Sequence, residues 1–231
     1  MKLLGLIGGM SWENTIEYYT VINQMVNERL GSWNSAKILL YSVNFEEILL
    51  LENNNEWDRI SKIVFEISTQ LKNSGCEVLL ICSNTMHKVA DQIQEKISIP
   101  LINVIDETAK EIKLKNIQNI GLLGTKFTME QDFYTQKLKN IYNLNPIIPV
   151  AKDRNYIHET IYNQFAKGIF IDKTKHKFLK IINDLVEKGS EGIILGCTEL
   201  PLLIKQEDVD IPLFDTLKIH LKSAVDFCLK D

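Results

Sequence analysis

Short apolar runs alternate along this chain with longer stretches in which apolar positions recur every three or four residues. The runs fall at 3–7, 38–43, 78–83, 101–104, 120–123, 192–196 and 212–214. They are apolar on both faces, as strands of a parallel sheet must be when helices cover both sides. The longer stretches, at 14–30, 57–73, 128–141, 156–167, 178–188 and 217–229, read as helices. In the second of them Ile60, Ile63, Val64, Ile67 and Leu71 share one face. Ser11 precedes the first as a candidate N-cap. Strands alternating with helices predict an α/β fold.

The pattern also repeats. Gly5-Leu6-Ile7-Gly8 matches Gly121-Leu122-Leu123-Gly124 at an offset of 116 residues. Gly75-Cys76-Glu77 matches Gly189-Ser190-Glu191, and Ser83 falls opposite Cys197, both at an offset of 114. Ile99-Pro100-Leu101 matches Ile211-Pro212-Leu213 at 112. Landmarks in one order with so little drift predict a duplicated α/β unit. The expected architecture is two pseudo-symmetric domains, each a mostly parallel sheet flanked by helices. The first takes residues 1–98 plus 209–231 and the second 99–208. Ligands of open α/β sheets sit outside the carboxyl ends of strands. Ser83 and Cys197 both end apolar runs, so the expected active site is a cleft between the two domains.

Composition narrows the function classes. The chain has 231 residues, 45% of them hydrophobic, enough for one large or two small cores. A net charge of −4 gives no basic field for nucleic acid. The N-terminal apolar run turns polar at Ser11, too early for a signal peptide or a membrane span. Four cysteines at wide spacing predict reduced thiols and a cytoplasmic protein. His87, His158, His176 and His220 form no HExxH spacing, and no CxxC occurs, so a metal site is not expected. The turn Gly8-Gly9-Met10-Ser11-Trp12 lacks both the dinucleotide and the P-loop glycine patterns.

Two strand ends carry candidate chemistry. Cys197 follows Gly196 and precedes Thr198-Glu199, where a helix or turn begins. A helix N-terminus there would lower the thiol pKa and make it a base or nucleophile near neutral pH; the alternative is a small buried apolar side chain. Ser83-Asn84-Thr85 suits an N-cap, and the amides left free there suit a carboxylate. His87, four residues beyond Ser83, is expected to sit on the surface rather than approach the cleft. Asn44 either reaches the site or merely ends a strand.

These residues resemble the aspartate/glutamate racemase family, the cofactor-independent amino-acid racemases. The resemblance rests on Gly5-Leu6-Ile7-Gly8-Gly9-Met10-Ser11-Trp12, Ser83-Asn84-Thr85-Met86-His87, Lys167-Gly168 and Gly196-Cys197-Thr198-Glu199-Leu200-Pro201. It implies an acidic amino acid as substrate, with no pyridoxal phosphate and no metal. It implies an acid/base pair at Ser83 and Cys197. Asn84, Thr85, Thr198 and Glu199 would hold the α-carboxylate and ammonium. Lys167 would meet the side-chain carboxylate, and Met10 would line the pocket. The family often forms homodimers, though no segment marks an interface.

Typical members carry cysteine at both strand ends. Ser83 departs from that pattern and places this chain with relatives that have a hydroxyl there. A serine hydroxyl is a far poorer base than a thiolate, so one enantiomer is expected to be favoured as substrate, within an overall equilibrium constant near one. Two other readings stay open. One is a one-thiol decarboxylase of malonates in the same superfamily; the other is an acidic amino-acid-binding protein without catalysis.

Overall fold

The computed structural model describes residues 1–230. In chain order the elements are β1 (Leu4–Gly8), α1 (Trp12–Leu30), β2 (Ile38–Ser42), α2 (Phe45–Asn53), α3 (Trp57–Asn73) and β3 (Val78–Ile81). A 3-10 turn (Thr85–Val89) leads into α4 (Ala90–Gln94), followed by α5 (Val104–Leu114), β4 (Asn119–Gly124), α6 (Lys126–Glu130) and α7 (Asp132–Tyr142). Then come β5 (Asn145–Ile147), α8 (Ala151–Asn163), a 3-10 turn (Phe165–Lys167), α9 (Asp172–Glu187) and β6 (Ile193–Gly196). The chain closes with α10 (Leu200–Leu203), a 3-10 turn (Gln206–Asp208), β7 (Leu213–Asp215) and α11 (Thr216–Leu229).

The chain divides into two compact units, one of Met1–Asn103 with the chain from His220 onward, the other of Val104–Ile219. The first holds a parallel sheet in the order β2-β1-β3, with Leu101 bridged to Leu79 beyond β3. Its core joins Ile7, Ile48, Ile60, Val64, Leu79, Ile81, Met86 and Ile93. Each such side chain contributes about 1.5–3 kcal/mol when fully buried. Helix α1 starts as its sequence predicts: the Ser11 hydroxyl accepts the Asn14 amide at 3.3 Å. Gly8 is required where α1 turns back on the strand, because a Cβ there would lie 2.4 Å from Thr15 Cγ2.

The second unit holds a parallel sheet in the order β5-β4-β6-β7. Its core runs from Val104 and Ile105 through Leu122, Leu138, Phe178 and Ile194 to Phe214. The duplication is written in matching hydrogen bonds. In the first unit the Gln94 amide group donates to the carbonyls of Ile97 and Ile99, and its carbonyl accepts the Leu101 amide. In the second, Gln206 donates to Val209 and Ile211 and accepts from Leu213. Glu77 accepts the Leu3 amide, and Glu191 accepts those of Gln118 and Asn119.

Several expectations shift. The apolar run at 101–104 is a single bridge at Leu101, after which Val104 opens α5. Because Leu101 pairs with Leu79, the first unit runs to Asn103 and not 98. Because Leu213–Asp215 pairs with β6, the return to the first unit comes at His220 and not 209. The helix expected at 128–141 is two, α6 and α7, with extended Gln131 between them. Strand β5 and helices α2, α4 and α5 had no expectation.

Candidate active site

In the first unit the loop after β3 is pinned from several sides. Cys82 is fully buried, and its amide donates to the Ile7 carbonyl at 2.9 Å. Asn14, in the first turn of α1, donates its side-chain amide to the Cys82 carbonyl at 2.7 Å. The Ser83 hydroxyl accepts the Met86 amide at 3.4 Å, and its carbonyl takes His87 Nδ1 at 2.7 Å. Ser83 is half-buried, whereas Asn84 and Thr85 are buried. Burial pushes the Cys82 thiol far above its usual range, so the neighbouring cysteine does not stand in for Ser83 as a base.

His87 is buried against His220, their ring centres 5.3 Å apart. His220 Nδ1 meets the Tyr18 hydroxyl at 2.9 Å and its Nε2 meets the Ile102 carbonyl at 2.7 Å. A carbonyl only accepts, so Nε2 carries the proton and Nδ1 accepts from Tyr18. By the same rule His87 Nδ1–H donates to Ser83. His87 is therefore buried and holds the backbone of the loop, and does not sit on the surface as expected. Asn44 caps α2 by accepting the Glu46 amide. Met10 is buried in the apolar core of this unit.

In the second unit Cys197, Thr198 and Glu199 form one hydrogen-bonded group. The Cys197 thiol donates to Glu199 Oε2 at 2.9 Å, and the Thr198 hydroxyl donates to the same oxygen at 2.8 Å. Cys197 is buried; Thr198 and Glu199 are half-buried. Gly196 before it lets β6 lie close to β4, for a Cβ there would stand 2.8 Å from the Leu123 carbonyl oxygen. Lys167 ends the 3-10 turn after α8, is exposed, and is followed by Gly168 at a φ of 70°.

The expectation of a lowered thiol pKa at Cys197 is overturned. Burial first, then the Glu199 carboxylate, push it well above its usual range. The helix that was to favour the thiolate is α10, only four residues long and starting at Leu200. So short a helix offers little dipole against a carboxylate in direct contact. At neutral pH Cys197 rests as a thiol, hydrogen-bonded to Glu199. The sequence reading missed Asn14 and His87 as the residues that fix the Ser83 loop. Asn14 lies in the first helical turn after the glycine pair, but nothing in the local pattern points across to β3.

No helix among the described residues is long and apolar enough to cross a membrane, and they contain no group of three or more side chains suited to a metal ion. Residues 7–224 match the family model described as Asp/Glu/Hydantoin racemase. The crystal structure of a "putative Asp/Glu Racemase" from Yersinia pestis is 44% identical over the whole of both chains, with a TM-score of 0.94. An aspartate racemase homologue from Pyrococcus horikoshii OT3 is 33% identical over the same full span, with a TM-score of 0.88. The broad specificity amino-acid racemase RacX of Bacillus subtilis is 20% identical over 96% of each chain. The chain belongs to the Asp/Glu/hydantoin racemase family and is an isomerase of the amino-acid racemase type.

Proposed function

We propose that the protein racemises aspartate, glutamate or both by removing and returning the Cα proton with its own side chains. The observation that carries this reading is the Cys197 thiol hydrogen-bonded to Glu199 at the end of β6, at the repeat position of Ser83. Racemisation needs a base on one face of Cα and an acid on the other. Cys197 is the stronger of the two groups. Glu199 takes the thiol proton, and the thiolate so formed removes the proton from Cα. Ser83, directly or through water, returns a proton from the opposite face.

The remaining roles follow the resemblance. Asn84, Thr85, Thr198 and Glu199 bind the α-carboxylate and ammonium, Lys167 binds the side-chain carboxylate, and Met10 lines the pocket. Donors fixed on the carboxylate lower the energy of the carbanion as its charge develops. In this reading the protein acts in the cytoplasm, in keeping with its four free cysteines. Among the competing readings, a one-thiol malonate decarboxylase would have less use for the hydroxyl at 83, and a pure binding protein none for a thiol paired with a carboxylate.

Enantiomers have equal free energies, so kcat/KM must be the same from either side. An unequal acid/base pair shows itself elsewhere, in exchange of the Cα proton with retained configuration. The test is deuterium incorporation from D2O into L- and D-aspartate and L- and D-glutamate, followed by NMR. One enantiomer should gain deuterium at Cα faster than it inverts, while the other should not. A binding protein gives no incorporation, and a decarboxylase gives none here but releases CO2 from a malonate. Equal exchange in both enantiomers of the preferred substrate contradicts the asymmetric pair.

A further inference from the structure

We propose, resting on the racemase reading above, that Lys126 is a second cation for the substrate's side-chain carboxylate and selects acidic amino acids together with Lys167. The offset of 116 residues that matches Gly8 to Gly124 also carries Met10 onto Lys126. Met10 lines the pocket in the proposed function, so the duplication puts Lys126 at the equivalent station of the second unit. A lysine stands there in place of the first unit's apolar side chain, which adds a positive charge to one half of a repeated frame.

The strands set its place within the second unit. Gly124 is the register partner of Gly196, so Thr125-Lys126 and Cys197-Thr198 leave β4 and β6 side by side. Helix α6 starts at once on these ends. A Cβ on Gly124 would lie 3.0 Å from Thr128 Cγ2, and a Cβ on Gly196 would lie 3.2 Å from the same atom. The first turn of α6, which Lys126 opens, is therefore seated against the residue before Cys197. The backbone is also fixed from α8, where His158 Nδ1 accepts the Lys126 amide at 3.3 Å. The His158 ring is itself flanked by Phe127 and Tyr162, with ring centres 6.2 Å and 4.9 Å away.

Lys126 is half-buried. Glu130, one turn further along α6, is taken by Arg154 at 2.7 Å, and among the described residues the Lys126 ammonium has no ion pair. Drawing an ammonium partly out of water without a counter-charge is unfavourable, so the position suits an anion that arrives from outside. Burial first, then Lys126, hold the His158 imidazole below its usual range against the pull of Glu130 and Glu159. The charge acting on the Cys197 thiol is that of Glu199. The ammonium therefore lies toward α8 rather than over the thiol, and α8 runs directly into the turn that carries Lys167. Both cations stand away from the group that works on Cα, on the side where a substrate side chain would extend. The charges also balance: an acidic amino acid brings one net negative charge and Glu199 another, against two lysines. Lys167 is exposed and screened by salt, whereas half-buried Lys126 is screened less.

Asparagine and glutamine match aspartate and glutamate in shape and lack the side-chain charge, so each acid and its amide read the contact. Cα exchange in D2O is followed for both, in the parent and in Lys126→Met. The preference for acid over amide should fall by about tenfold to 10²-fold in the variant, the range of one charge-assisted hydrogen bond. The loss should appear in KM for the acid, with the amide's rate unchanged. Equal loss with acid and amide, or an unchanged preference, overturns the proposal. Succinate and its monoamide, succinamate, read the same contact without turnover. Succinate should protect the parent against thermal unfolding more than succinamate does, and the difference should vanish in Lys126→Met. A parent without Cα exchange that keeps this difference loses the racemisation and retains the Lys126 contact. A parent that the two compounds protect equally loses the contact. Lys126→Gln carries the same expectations where the methionine variant does not fold.

Discussion

The two strand ends descend from one pattern and have diverged at the position where chemistry is expected. After β3 the chain reads Cys82-Ser83-Asn84-Thr85, and after β6 it reads Gly196-Cys197-Thr198-Glu199. In the first, a hydroxyl accepts a backbone amide and the side chain before it is a buried, inert thiol. In the second, a glycine closes the sheet and the thiol donates to a carboxylate two residues on. The scaffold around the two ends has changed far less. The Gln94 and Gln206 brackets keep the same partners at the same spacings. Selection for the sheet preserves backbone hydrogen bonding, whereas the two groups that act on one substrate need not remain alike.

The largest expected difference between the ends is catalytic. Cys197→Ala should lower racemisation by about 10³-fold or more, and Ser83→Ala by about tenfold to 10²-fold. Initial rates with the preferred amino acid measure both, and equal losses would remove the asymmetry. Ser83→Cys should raise retained-configuration exchange in the slower enantiomer, because a thiolate replaces a hydroxyl that ionises far less readily.

Glu199→Gln sharpens the second strand end. The carboxylate holds the Cys197 thiol up, so its removal lowers the thiol pKa. Alkylation by iodoacetamide at pH 8 should then be faster in the variant. Turnover should fall by roughly tenfold to 10²-fold, since the group that takes the thiol proton is gone. Slower alkylation together with full activity would mean that the 2.9 Å contact has no part in proton transfer.

The first unit also carries a buried carboxylate, Glu52, whose pKa burial raises to about 7 against the opposing pull of Lys88. Lys88 in turn lies 3.9 Å over the Trp57 ring. Between the ordinary carboxylate range and pH 7 the folded state holds a proton that the unfolded chain releases. Stability from this group is complete at low pH and is lost as pH rises through about 7. Glu52→Gln removes that loss and should stabilise the protein by about 3 kcal/mol at pH 8 and not at pH 4. Denaturant unfolding at the two pH values reads the difference; an equal shift at both contradicts it.

The smallest effects test the shared scaffold. Gln94→Ala should cost about 1–2 kcal/mol and Gln206→Ala, in an exposed setting, about half as much, with rates unchanged apart from stability. A loss of activity in either folded variant would show that the brackets do more than hold a turn.

Much of this was legible in the sequence because it lies in short-range pattern. The β-α alternation, the repeat offsets, the Ser11 cap and helix α3 all follow from residues near one another in the chain. Strand β5 was not legible, since Asn145-Pro146-Ile147 is short and holds a proline that only an edge position accepts. Helix α2 escaped because Leu49, Leu50 and Leu51 blur its period. The Cys197 environment was misread because motif position suggested a helix dipole, whereas the side-chain direction of Glu199 decided the charge. Asn14 holding Cys82 spans too many residues for any local signal.

The most direct test of the unequal pair is the Cα proton–deuterium exchange of L- and D-aspartate and glutamate in D2O, run on the parent, Cys197→Ala and Ser83→Cys. The account predicts faster exchange than inversion for one enantiomer in the parent. It predicts near-complete loss of exchange in Cys197→Ala, and exchange of both enantiomers in Ser83→Cys. Full exchange retained in Cys197→Ala would contradict it.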